Sequence, residues 1–165
     1  MATKDSTLTQ EYLHSLFYYK DGNLYRKLPR KSFAADTKIG YINKNRYLQT
    51  NINGKIYSVH RLIFFMHHGF LPKSIDHIDG NGLNNKIENL RAATVSENAC
   101  NSKLRKDNSS KHKNVYWNKL MKRWGVKLTI NKKQLHFGYY YDLDVAKFVA
   151  SFIRLRYHKD FARNS

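Results

Sequence analysis

Leu8, Tyr12, Leu13, Leu16 and Phe17 recur at the spacing of one helical face, and Ser6 or Thr9 stands where an N-cap belongs, so the pattern predicts a short amphipathic helix. Asp21-Gly22 then turns the chain. Tyr47–Ile52 and Lys55–Val59 flank Asn53-Gly54, a dipeptide that accepts the positive φ angles of a tight hairpin. Leu62, Ile63, Phe64, Phe65 and Met66 are apolar on every side and stop before Gly69 and Pro72, the pattern of a short buried helix and its end.

Residues 75 to 103 read as strand, loop, strand, helix. Ile75 and Ile78 bracket Asp76-His77, Asp79-Gly80 and Asn81-Gly82 supply turn residues, and Leu90–Ala93 resumes an extended segment. Thr94-Val95-Ser96-Glu97 matches a capping box, which starts a helix at Thr94 and puts Asn98 on its first turns. Farther on, Val115–Trp117, Trp124–Ile130 and Gln134–Phe137 have the composition of three strands joined by basic turns. Asp142 can cap a last helix, in which Val145, Phe148, Val149, Phe152 and Ile153 form an apolar stripe expected to pack on the sheet. The expected fold class is α+β, with a strand-rich N-terminal region.

Charge changes this picture. Lys and Arg number 30 against 12 Asp and Glu in 165 residues, a formal charge of +18, which repels itself unless a polyanion normally sits against the surface. Nucleic acid fits better than a membrane, because the chain has no long apolar run, no lipidation signal and no segment shaped like a secretory leader. A single cysteine, Cys100, excludes an intramolecular disulfide and any zinc site of paired cysteines, and points to the cytoplasm. The C-terminal stretch is the more basic, and the polar run from Leu104 to Lys113 reads as a linker. The expected division is 1–104, a linker at 105–113, and 114–165.

The chemistry concentrates between Ser74 and Asn98. An Asp-His pair alone ordinarily marks a turn, and Asn-Gly or Asp-Gly alone means no more. Here Asp76-His77 precedes a glycine-punctuated loop, then Asn89, then Asn98 on a capped helix. Phosphodiester hydrolysis needs an activated water and something to absorb charge on the phosphate and the leaving oxygen. A histidine beside an oxygen-ligated divalent cation meets both needs, and Asp76 with the Asn98 amide oxygen suits a hard cation that keeps several waters. His60, His67 and His68 return to roughly one helical face, but packing or a phosphate contact accounts for them more simply than a metal, and Arg61 can serve a phosphate.

With these residues in order, the segment resembles the HNH nucleases of phage homing endonucleases, which share a ββα-metal motif. The three letters correspond to His77, Asn89 and Asn98. The flanking Asp-His-Ile-Asp-Gly-Asn, Glu-Asn-Leu-Arg and Thr-x-x-Glu-Asn agree, as do Val59-His60-Arg61-Leu62 and Gly69-x-x-Pro72 upstream. The resemblance implies that His77 is the general base, that Asp76 and Asn98 hold one divalent cation, and that Asn89 fixes the loop that aims the imidazole. Where many relatives carry histidine as the third letter this chain has Asn98, whose neutral amide oxygen favours Mg²⁺ or Mn²⁺ over zinc.

From Ser110 onward the chain resembles the AP2 DNA-binding domain, a three-stranded sheet backed by one helix. Asn114-Val115-Tyr116-Trp117, Trp124 before Val126, Phe137-Gly138 and the helix around Ala146 carry the likeness. Such a sheet leaves one face free for the major groove of double-stranded DNA. If Val126, Leu128 and Ile130 face the helix, Lys127 and Thr129 face outward. Lys113, Tyr116, Asn118, Lys122, Arg123, Lys132 and Lys133 are the other contact candidates. The combined expectation is a metal-dependent, site-specific homing endonuclease that nicks one strand as a monomer in the cytoplasm of a host bacterium. Two alternatives remain open: a DNA-binding regulator with a vestigial nuclease core, and a dimeric nuclease making double-strand breaks.

Overall fold

The computed structural model describes residues 8–30, 33–102, 104, 107–130, 133–158 and 161–162. The protein is a mixed α+β chain in two compact units, Met1–Val95 and Ser96–Ser165. The division falls earlier than the polar run taken as a linker. Ser110, within that run, is buried, and its hydroxyl bonds Val115 O at 2.9 Å and His112 O at 2.8 Å. Those bonds fold the segment into the second unit, since a buried hydroxyl must be satisfied.

The first unit begins with helix α1 (Gln10–Leu16), whose N-cap Thr9 accepts from the Tyr12 N–H at 3.1 Å. Strands β1 (Phe17–Lys20) and β2 (Asn23–Arg26) form a hairpin about Asp21-Gly22. A sheet of β3 (Tyr41–Ile42), β4 (Leu48–Ile52) and β5 (Lys55–Ser58) follows, all antiparallel. Asn53 and Gly54, at φ 51° and 84°, make its turn, as that dipeptide predicts. Helix α2 (Val59–His68) ends at Gly69, which takes φ 74° and donates to Phe65 O at 2.9 Å, closing the helix in the left-handed conformation glycine favours. Strands β6 (Ser74–His77) and β7 (Leu90–Ala93) pair antiparallel, with Asp76 opposite Arg91 and His77 opposite Leu90. One core joins these elements: Leu13, Phe17, Leu24, Leu62, Ile63 and Ile75 are all buried in it.

The second unit opens with helix α3 (Val95–Cys100), which starts at the boundary, and continues with strands β8 (Val115–Asn118), β9 (Arg123–Ile130) and β10 (Lys133–Tyr140) in the order β10-β9-β8. Helix α4 (Leu143–His158) lies on one face, started by Asp142, whose carboxylate accepts from the Asp144 and Val145 N–H groups. Val126 and Leu128 are buried beneath it, while Lys127 and Thr129 occupy the alternate positions on the other face.

The stripe expected to bind α4 to the sheet is only partly the one used. Val149 and Ile153 pack inward, but Val145, Phe148 and Phe152 are 48%, 73% and 58% exposed. The helix instead seats on Ala146 and Ala150, both fully buried. Small side chains let the helix approach the sheet closely, and that rotation carries the phenylalanines outward. Among the described residues, no helix is long and apolar enough to cross a membrane.

Truncating the fully buried Leu24 should lower the stability of the first unit by about 2–5 kcal/mol. Urea denaturation of Leu24→Ala, followed by tryptophan fluorescence (both tryptophans lie in the second unit) and by far-UV dichroism, tests this. A fluorescence transition shifted as far as the dichroism would show one cooperative core in place of two.

Candidate active site

Between β6 and β7 the chain leaves the ladder for a loop whose polar groups must find partners outside any sheet. Asp79 organises its first half. Its Oδ1 accepts from the Asn81 N–H at 2.8 Å and its Oδ2 from Asn84 Nδ2 at 2.7 Å. Burial alone would raise the Asp79 carboxyl, but the bonds from Asn84, the Asn81 backbone and Asn89 outweigh it and hold the group below its ordinary value. Asn89, on the short 3-10 turn Ile87–Asn89, closes the loop: its Oδ1 accepts from the Asp79 N–H at 3.0 Å, and its Nδ2 donates to Asp79 Oδ1 at 3.0 Å and to Asn84 O at 2.8 Å.

His77 stands at the mouth of this loop, at the end of β6, and is buried. Its Nε2 lies 2.9 Å from Asn85 Oδ1, and Asn85 is only 1% exposed. An amide oxygen accepts, so this contact places the imidazole proton on Nε2 and leaves Nδ1 as the basic nitrogen. Two hairpins press on the loop from the side. A side chain at Gly22, in the β1–β2 turn, would lie 2.9 Å from the Lys86 backbone nitrogen, and Tyr19 Oη accepts from the Ile87 N–H at 3.1 Å. Tyr47, at the start of β4, covers Gly82 so closely that a Cβ there would sit 2.6 Å from its ring.

The same Tyr47 ring lies 5.9 Å from His77 and 5.5 Å from His60, and the two imidazoles meet edge to face at 5.1 Å. Burial, then the nearby His77 and Arg61, push the His60 pKa down to about 3. His60 is therefore neutral at physiological pH and adds no positive charge beside His77. His60 Nδ1 and Asn85 Nδ2 are buried and find no hydrogen-bond partner among the described residues, a polarity suited to a solvent molecule or a substrate oxygen.

Asp76 is also buried, opposite Arg91, whose Nε and Nη2 lie 2.8 Å and 2.7 Å from its Oδ2. This pairing fixes the orientation of the carboxylate. The structure thus brings Asp76, His77 and Asn89 together in the first unit. Asn98 lies on α3, in the second unit. Among the described residues no group of three His, Cys, Asp or Glu side chains converges as a metal cage. His67 bonds Ile63 O at 2.8 Å and His68 stacks on Phe64, so both are used in packing.

The candidate DNA contacts are distributed unevenly. Tyr116, Asn118, Lys127 and Thr129 share the sheet face opposite α4. Lys122 and Lys133 are exposed near strand ends, and Arg123 stacks on the Tyr141 ring at 4.0 Å. Arg61 Nη2 reaches Pro72 O at 3.4 Å within the first unit. Lys113 is buried, lining a cavity of about 550 Å³ in the second unit with Asn114 and Arg154. Lys132 lies outside the described residues. Sequence reasoning missed Asn85, Arg91 and Tyr47. The signal for Arg91 was its place opposite Asp76 once β6 and β7 are paired in register.

An HNH endonuclease family model matches residues 57–100, the stretch that holds the buried imidazole, the paired carboxylate and the loop between β6 and β7. Residues 57–100 thus carry an HNH endonuclease domain, and the chain as a whole belongs to the family of a phage protein. It is similar to Protein 3.8 of Escherichia phage T7, with 40% identity over 99 residues, covering 58% of this chain and 79% of that protein. No solved structure matches.

Two predictions follow from this geometry. Between pH 6.5 and about 3 the unfolded chain protonates His60 while the folded chain does not, so its stabilising contribution is complete above pH 6.5 and declines as pH falls through that window. His60→Phe should flatten that decline in urea midpoints measured against pH; an unchanged slope would show that His60 titrates normally. Separately, Asn85→Ala should lower the cleavage rate about 10- to 100-fold with DNA binding retained, while Asn85→Asp should move the acid limb of the pH–rate profile to higher pH. Equal loss in both variants with no movement of the profile would make Asn85 a packing residue.

Proposed function

We propose that this chain is a metal-dependent, site-specific DNA endonuclease, a phage homing endonuclease that nicks one strand per engagement as a monomer. The observation that supports it best is the His77–Asn85 contact in the Asn89-tied loop, because it aims a basic nitrogen from a rigid, buried position. His77 Nδ1 takes a proton from a water, the water oxygen attacks phosphorus, and the bond to the 3′ oxygen breaks. The products are a 5′-phosphate and, once the leaving oxygen is protonated, a 3′-hydroxyl.

Asp76 and Asn98 would hold one divalent cation. Carboxylate and amide oxygens are hard donors of the kind that suits Mg²⁺ or Mn²⁺. When bound, the ion supplies charge stabilisation at the phosphate and the leaving oxygen. Arg91 keeps Asp76 oriented, Asn89 holds the loop, and neutral His60 avoids opposing the positive charge His77 gains. The second unit, an AP2-like reader in this proposal, would lay its free sheet face into the major groove of double-stranded DNA. Tyr116, Asn118 and Thr129 would then meet base edges while Lys122, Arg123, Lys127 and Lys133 meet phosphates.

The test incubates supercoiled plasmids carrying phage or host genomic segments with the full chain in Mg²⁺, Mn²⁺ or chelator, beside His77→Ala. Open circles from the wild-type chain with metal alone are expected, with at least a thousandfold less from His77→Ala at equal DNA binding (on the order of the losses seen when a catalytic base is removed). Linear product from single engagements would overturn nicking by a monomer. DNA bound but never cut, with any metal, would overturn the enzyme assignment.

A further inference from the structure

Strands β8 and β9 are joined by Lys119-Leu120-Met121-Lys122, and the two middle residues of this turn are apolar. Leu120 is 96% exposed and Met121 53%, so neither belongs to the core of the second unit. A lone exposed leucine on a protein surface calls for no explanation. This one is set apart by the shape of its turn, by its neighbours and by its place on the sheet.

The turn is tied at both ends. Asn118 and Arg123 are the last pair of the ladder between β8 and β9. Asn118 Oδ1 accepts from the Met121 N–H at 3.0 Å, and its Nδ2 donates to Tyr139 Oη at 3.3 Å, which anchors the turn to β10. Lys122 takes φ 48°, the left-handed conformation that lets the chain reverse there. Leu120 is thus carried at the tip of a fixed hairpin.

Cations surround the tip. Lys119 and Lys122 flank the apolar pair and are both exposed, and Arg123 follows with its guanidinium over the Tyr141 ring at 4.0 Å. By strand alternation Asn118 and Arg123 belong to the sheet face that carries Tyr116, Lys127 and Thr129, so the tip prolongs that face. An apolar protein partner would have to bury these cations unpaired. Two apolar side chains are too few to hold a membrane. Duplex DNA meets both demands at once, with phosphates outside for the cations and a stack of apolar base faces within.

We propose that Leu120, backed by Met121, enters the base stack at the end of the stretch that the sheet covers, opening one base step and kinking the duplex. This rests on the proposal that the sheet binds duplex DNA. Pyrimidine–purine steps, TA and CA/TG, unstack most easily, so the tip favours such a step without a hydrogen bond to any base edge. The unbranched Met121 side chain adapts to the opened step beside the leucine.

The experiment uses the full chain with His77→Ala, so that bound DNA is not cut, and a duplex selected from a randomised pool. Permanganate, which oxidises unstacked thymines, maps opened steps, and energy transfer between dyes on the two ends reads the bend. One TA or CA/TG step should react about fivefold or more above its neighbours, and the ends should draw together. A mismatch placed at that step, which unstacks it in advance, should tighten binding about 5- to 50-fold when Leu120 is present and leave Leu120→Ala unmoved. Leu120→Ala should also leave the duplex straight. A duplex that stays straight or evenly stacked on the chain with Leu120, or a bend or mismatch gain that survives in Leu120→Ala, overturns the wedge and leaves the sheet standing as a DNA reader. A chain with Leu120 that binds no duplex overturns both. The permanganate map needs no substitution in the hairpin, so misfolding of a variant cannot mimic its result.

Discussion

The Asn89 side chain supplies to the loop between β6 and β7 what a sheet ladder would otherwise supply. Backbone that leaves a sheet near the interior must satisfy its N–H and C=O groups some other way, at a cost of about 1–3 kcal/mol for each that fails. One amide accepts from the Asp79 N–H and donates to both the Asp79 carboxylate and the Asn84 carbonyl, so the two halves of the loop are tied at one residue. Asp79 then ties Asn81 and Asn84, and Asn85 is left facing His77. The imidazole is aimed only because this chain of bonds is complete. Loss of any link would leave buried polar atoms competing for the same partners.

Much of this architecture is legible in the sequence because it depends on local chemistry. Asn53-Gly54 sets a turn whose φ angles few other residue pairs accept, Gly69 ends a helix, and Thr9 and Asp142 begin others. The spacing of Asp76-His77 and Asn89 points to the loop between β6 and β7, where Asn89 ties the loop and His77 stands at its mouth. Less legible are features decided by packing across the chain. Asn84 and Asn85 are identical neighbours, and only the path of the loop turns one toward Asp79 and the other toward His77. Along α4 the sequence carries two overlapping stripes. Hydrophobic bulk favours Val145, Phe148 and Phe152, yet close approach to the sheet favours Ala146 and Ala150. Arg91 reads as one more basic residue until strand register sets it opposite Asp76.

The two units use their polar residues differently. In the first, charge is paired and inward: Asp76 with Arg91, and a histidine kept neutral by burial. On the outer sheet face of the second, histidine, asparagine and tyrosine bond one another, and cations flank them over aromatic rings. Chemistry at a phosphate calls for a few groups held rigidly out of water, whereas recognition of DNA calls for many groups at a surface. On the proposed reading, a net charge of +18 would serve the second task and would hinder the first if it were spread evenly.

The contacts of Gly22 and Tyr19 with the Asn85–Ile87 backbone join parts of the chain that are 68 residues apart at their closest hydrogen bond. The family match begins at residue 57, beyond that hairpin. As a physical object, then, the site is larger than the motif by which it is recognised. Residues 57–100 grafted onto another scaffold would keep every letter of the motif and lose the wall it leans on. During synthesis the order is reversed: the wall is made first and stands ready when the loop arrives.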